Sequence, residues 1–168
     1  MLNGHGDDLQ QYKNIRINFS SNVYNHFNHD GLFAHLAACL PRVVNYPEPA
    51  PVSLERKLAS MLDLNPAEVM VTNGATEAIY LIAQAFQGAA SSILQPTFAE
   101  YQDACRMFGH KLDSDDEDMI WLCNPNNPTG LTIDKDDLLA IISENRNTTY
   151  VIDASYAASQ YPHAAFHD

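Results

Sequence analysis

The chain has 168 residues, with nine Lys and Arg against 21 Asp and Glu, a formal net charge of −12. So acidic a balance argues against nucleic-acid backbones as partners, since these are held by clustered Lys and Arg. A hydrophobic fraction of 46% with 18% charged residues is enough for a packed core, while no window approaches the ~18 consecutive apolar residues of a membrane span.

Residues 1–31 are polar, rich in Asn, His and Asp, with one short apolar run at Ile15–Phe19 and no apolar stretch of the signal-peptide kind before Asn14. Leu32–Leu40 has helical spacing and Pro41 lies just beyond it. Three prolines in Tyr46-Pro47-Glu48-Pro49-Ala50-Pro51 forbid a helix there, because each fixes φ and removes a donor. Ser53 is expected to cap a helix running to Leu62, with Leu54, Leu58, Met61 and Leu62 on one face. From there the pattern alternates. Strands are expected at Val69–Thr72, Ser91–Gln95, Ile120–Cys123 and Tyr150–Asp153, with helices at about 76–86, 98–108 and 135–144. The acidic run over residues 113–118 reads as a solvated loop. This rhythm predicts an α/β fold with a largely parallel sheet, whose ligands gather at the carboxyl ends of the strands. Cys39, Cys105 and Cys123, odd in number, far apart and in apolar surroundings, read as reduced thiols of a cytoplasmic protein.

Three stretches fall at those strand ends. Asn73-Gly74-Ala75-Thr76-Glu77 stands between a strand and a helix, where unpaired N–H groups and the positive end of the helix dipole can hold a phosphate. Gly74 lets the backbone bend and Thr76 adds a hydroxyl donor. The plain alternative is an Asn-Gly turn with a helix cap. Cys123-Asn124-Pro125-Asn126-Asn127-Pro128-Thr129-Gly130 is a rigid loop carrying three amide side chains, or simply a well-made turn. Asp153 ends an apolar strand with Tyr156 three residues on, so its carboxylate either meets a positive partner or caps the following helix.

In order and spacing across residues 46–156, these stretches together resemble the fold-type I pyridoxal-phosphate enzymes, the aspartate aminotransferase superfamily. The resemblance implies a three-layer α/β/α large domain with a mostly parallel sheet and pyridoxal 5'-phosphate as cofactor. It implies that Gly74, Ala75 and Thr76 bind the cofactor phosphate and that Phe98, in Pro96-Thr97-Phe98, stacks on the pyridine ring. Asp153 would pair with the pyridine nitrogen, and Asn127 and Tyr156 would reach the phenolic oxygen, which makes these three the expected catalytic residues. Tyr46 would reach the cofactor phosphate of a second subunit, implying a homodimer. Residues 1–45 would then be an N-terminal arm with part of the small domain, and 46–168 part of the large, cofactor-binding domain.

Within the superfamily, His5-Gly6-Asp7, Ile17-Asn18-Phe19-Ser20-Ser21-Asn22 and Tyr46-Pro47-Glu48-Pro49 look like the threonine-phosphate decarboxylases of cobalamin synthesis. That likeness implies decarboxylation of O-phospho-L-threonine, with His5 and Asn22 on the substrate phosphate. The histidinol-phosphate aminotransferases are the close neighbour. A phosphate-binding module without catalysis is the third reading. Asn18 replaces the Asp usual at its position, Tyr24-Asn25 replaces Asn-Pro, and Ala154 stands where relatives often have Glu. The family's Schiff-base Lys and carboxylate-binding Arg follow much later than Asp153. The lysines here, Lys13, Lys57, Lys111 and Lys135, all precede it, so the chain is expected to be the amino-terminal half of a longer enzyme. No metal site is expected: His26, His29 and Asp30 read as solvated loop residues, and His163 and His167 likewise.

Overall fold

The register of one parallel sheet decides where the chemistry of this chain can lie. A computed structural model describes residues 10, 12–22, 28–112, 114 and 117–157. By internal contacts these fall into two compact units, 10–71 and 72–157. Among the described residues no helix is long and apolar enough to cross a membrane.

The first unit holds α1 (Asp30–Cys39), a 3-10 helix at Leu40–Val44, α2 (Val52–Leu62) and a short 3-10 turn at Pro66–Glu68. Helix α2 starts after Pro51, two residues earlier than a Ser53 cap would place it, and Ser53 does not cap it. The Ser53 N–H and hydroxyl both turn back to the Glu48 carboxylate instead. Helix α2 ends in a left-handed Asp63, φ 54°, and Ala59 is its one buried residue. The turn at Pro66 closes by a reciprocal capping box, Asn65 accepting from the Ala67 N–H while Glu68 accepts from the Asn65 N–H. The strand expected at Val69–Thr72 does not form. A strand exists only with a ladder partner, and here the Val71 N–H is taken by the Glu55 side chain at 3.1 Å.

The second unit runs α3 (Gly74–Ala85), β1 (Ala90–Ile93), α4 (Glu100–Met107), β2 (Lys111–Leu112), β3 (Met119–Cys123), α5 (Lys135–Glu144) and β4 (Thr149–Asp153). All four strands are parallel, in the order β2-β1-β3-β4. The α/β fold with a parallel sheet is therefore as the sequence predicts, with β2 an addition too short to leave a hydrophobic period. The core joins Ile79 and Ala83 of α3, Tyr101, Ala104 and Cys105 of α4, and Met119, Trp121 and Cys123 of β3. The helical members recur at three- and four-residue spacing, the signature of one packed face. Tyr101 stacks on Trp121 at 5.9 Å between centroids. Buried His110 ties three elements together. Its Nε2 donates to the Ala83 carbonyl, so its Nδ1 accepts from the Ser91 hydroxyl, each at 2.8 Å.

From β1 the chain crosses to β2 on one side, and from β3 to β4 on the other. The order thus reverses between β1 and β3, and ligands of open parallel sheets settle at the carboxyl ends beside such a reversal. The ladder pairs Trp121 with Val151 and Cys123 with Asp153. Asp153 is therefore delivered to the same end of the sheet as the loop that leaves β3.

Candidate functional site

A cavity of about 230 Å³ opens at that end. Seven of the ten residues singled out from sequence line it: Gly74, Ala75, Thr76, Phe98, Asn127, Asp153 and Tyr156. Of the other three, Asn22 and Tyr46 belong to the first unit, both exposed, and His5 lies outside the described residues.

The floor of the cavity is the start of α3. Gly74 opens the helix at φ +82° and donates its N–H to the Thr72 carbonyl at 2.9 Å. A Cβ placed on it would meet nothing within 4 Å, so the glycine is required by its dihedral rather than by crowding. Asn73 does not cap the helix through its side chain. Its backbone N–H and its amide Nδ2 both go to the Glu77 carboxylate. The N–H groups of Ala75 and Thr76 lie in the first turn, where an α-helix offers no internal acceptor. Both residues line the cavity.

The loop after β3 divides its three asparagines by task. Asn124 forms a two-way amide bridge with Ile133, donating to its carbonyl and accepting from its N–H at 2.9 Å each. Asn126 donates to the Pro96 carbonyl and to the Thr129 hydroxyl, tying the loop to the segment after β1. Asn127 makes no hydrogen bond to a described residue and lines the cavity. Two asparagines brace the loop so that the third can be presented.

Asp153 is the most heavily engaged group. Its Oδ2 accepts from the Tyr101 hydroxyl at 2.7 Å, and its Oδ1 accepts from the Ser155 N–H at 2.8 Å and from the Ser155 hydroxyl. Burial pushes its carboxyl up, but the Ser155 hydroxyl, the Tyr101 hydroxyl and the Ser155 N–H outweigh burial and hold it below the usual carboxylate range. In place of the helix cap weighed for Asp153, Oδ1 closes a side-chain turn onto Ser155, while Oδ2 meets Tyr101. Tyr101 is shifted the other way: burial, then contacts with Cys123 and Asp153, keep its phenol protonated far into the alkaline range. Phe98 meets Tyr101 edge-on, 5.8 Å between centroids at 83°, which fixes the ring at the cavity wall.

The sequence reading missed Tyr101 and Ser155 as lining residues and gave no role to Asn73 and Cys123, which stand in the stretches it singled out. Two signals were present: Phe98 and Tyr101 are three apart on a helical segment, and Ser155 follows Asp153 at the spacing of a side-chain turn. No Lys, Arg or His lines the cavity among the described residues. An anion here would be held by backbone dipoles, a hydroxyl and an amide.

The family model described as "Aminotransferase class I and II" matches residues 14–167. This chain belongs to that family. Among solved structures, L-threonine-O-3-phosphate decarboxylase from Porphyromonas gingivalis is similar, with a TM-score of 0.78 and 38% identity over 83% of this chain and 48% of that one. A histidinol-phosphate aminotransferase from Bradyrhizobium diazoefficiens is 28% identical, covering 97% of this chain and 52% of the relative. The bifunctional adenosylcobalamin biosynthesis protein CobDQ of Leptospira interrogans is 27% identical, covering 83% of this chain and 19% of the relative. The chain therefore spans about half the length, or less, of these family members.

Proposed function

We propose that the protein is a pyridoxal-phosphate-dependent lyase that decarboxylates O-phospho-L-threonine to an aminopropanol phosphate, a step serving cobalamin synthesis. The observation that carries this reading is the 38% identity to the Porphyromonas decarboxylase, against 17% to a histidinol-phosphate aminotransferase of known structure from Sinorhizobium meliloti. The broader coverage of the Bradyrhizobium aminotransferase, 97% of this chain, supports histidinol-phosphate aminotransfer as the second reading.

The cavity's donor set fits the cofactor. Its volume lies below the roughly 300–1,000 Å³ of drug-sized sites, which suits a single-ring ligand. Ala75 and Thr76 would hold the phosphate at the α3 N-terminus, where dipole and N–H groups both favour an anion. Phe98 would cover one ring face and Asn127, with Tyr156, would donate to the phenolic oxygen. Asp153, ionised and retaining an unused lone pair on Oδ2, would accept from the ring nitrogen and keep the proton there. When bound, the cofactor supplies an electron sink for the Cα bond that breaks. Asn22, and His5 outside the described residues, are our choice for the substrate phosphate.

We also propose a homodimer. Within one chain Tyr46 is 100% exposed, open to a second subunit, while the exposed Leu32, Phe33, Leu36, Val43 and Val44 of the first unit would be covered by that subunit or by the remainder of a longer chain. The three cysteines are free thiols, in keeping with a cytoplasmic site of action.

Full-length protein should change its absorbance on addition of pyridoxal phosphate. Supplied with O-phospho-L-threonine it should release carbon dioxide, and supplied with histidinol phosphate and 2-oxoglutarate it should yield no glutamate. Glutamate without carbon dioxide would establish the aminotransferase instead. A protein whose spectrum ignores the cofactor would end both readings.

A further inference from the structure

We propose that Tyr101 is a positioning residue for Asp153, its buried hydroxyl holding Oδ2 so that the carboxylate meets the cavity in one fixed orientation. The inference rests on the cofactor reading for its purpose but on this chain's own contacts for its substance. Tyr101 is 2% exposed, stacked on Trp121 below and met edge-on by Phe98 above, so its ring has no second rotamer to take. A ring held this firmly places its hydroxyl at one point, 2.7 Å from Oδ2.

The chemistry of the pair is directional. A phenol that stays protonated can only donate its proton to the carboxylate. Ser155 supplies two more donors, but to the other oxygen and from the next turn of the same segment, so these move with Asp153 when its backbone moves. Tyr101 is the donor that comes from a different element, α4, and ties the end of β4 to the core. Among the described residues, Cys123, Tyr101 and Tyr156 are the titratable groups sharing the cavity with Asp153, and none brings a positive charge. In the absence of a cation, hydrogen bonds are what keep this carboxylate a weak base. A protonated nitrogen set against a weak base keeps its proton, which is the state the cofactor reading requires.

The test reads Asp153 itself, before any cofactor is added. Carbon-13 carboxyl titration of the full chain, with Asp153 assigned by its loss in D153N, should show an upward shift of the Asp153 midpoint in Y101F. That variant keeps the ring and its stacking and removes only the hydroxyl. W121F, which loosens the stack and keeps the hydroxyl, should move the midpoint less than Y101F does. Should Y101F fail to fold, 3-fluorotyrosine at position 101, a stronger donor of nearly the same shape, should move the midpoint downward. An unmoved midpoint in Y101F or in the fluorinated protein overturns the proposal, as does an equal shift in W121F. In the loaded enzyme, Y101F should lower kcat on the order of tenfold or more with KM nearly unchanged, the scale of one hydrogen bond to a charged group. A protein that ignores pyridoxal phosphate but shows the Y101F shift would refute the cofactor reading and leave the Tyr101–Asp153 assignment standing.

Discussion

Asp153 sits half-buried in an acidic chain, yet its carboxyl is held below the ordinary range because three hydrogen-bond donors converge on it. A carboxyl depressed in the folded state contributes stability that is fully present above its unfolded value of about 3.9 and is lost as pH falls through the folded one. Replacing it by Asn removes the charge and keeps the shape. Urea midpoints of D153N should therefore lie below those of the parent at about pH 6 and converge with them only as pH falls beneath the unfolded value of about 3.9 and through the lower folded one. Parallel curves over that interval would mean the donors are not stabilising the charge. In a complete enzyme the same substitution should retain cofactor and lose turnover, since an amide gives a ring nitrogen no charge to lean on. Equal turnover in mutant and parent would remove Asp153 from the chemistry.

The elements carry the site by how they begin and end. Gly74 at φ +82° starts α3, and an L-residue there costs about 1–2 kcal/mol even though a Cβ has open space. G74A should lose about that much stability by urea unfolding, and its affinity for pyridoxal phosphate should fall several-fold as the first-turn N–H groups turn away from the anion. Unchanged affinity would place the phosphate elsewhere. This turn was legible in sequence because glycine, asparagine and a following helix pattern all speak locally, and Asp153 was legible as a charge ending an apolar strand. Val69–Thr72 misled for the opposite reason. Its residues have strand propensity, but a strand is made by its partner, and Glu55 answers the Val71 N–H where a ladder would. Ser53 failed as a cap because the helix begins at Val52, which puts Ser53 inside the first turn, where its N–H and hydroxyl donate to Glu48. Tyr101 read only as a helix residue, since its meeting with Asp153 spans 52 positions and is set by the sheet register, which no local pattern encodes.

Over the whole molecule, the charge of −12 acts on the site we propose to hold an anion. No cationic side chain lines the cavity among the described residues, so attraction comes from dipoles that fade within a helical turn, while repulsion comes from the full surface and reaches about 10 Å at 0.1 M salt. The two ranges differ, and salt separates them. Added sodium chloride should screen the long-range repulsion first and leave the short-range N–H contacts largely intact. The association rate of pyridoxal phosphate, followed by stopped-flow absorbance, should therefore rise with ionic strength between about 10 mM and 150 mM. The dissociation rate should change much less, because the bound phosphate is held by contacts shorter than any of those screening lengths. A basic pocket gives the reverse, with association slowing as salt screens its attraction. Slowing here would mean that a Lys or Arg from outside the described residues reaches the phosphate and that α3 does not hold it alone.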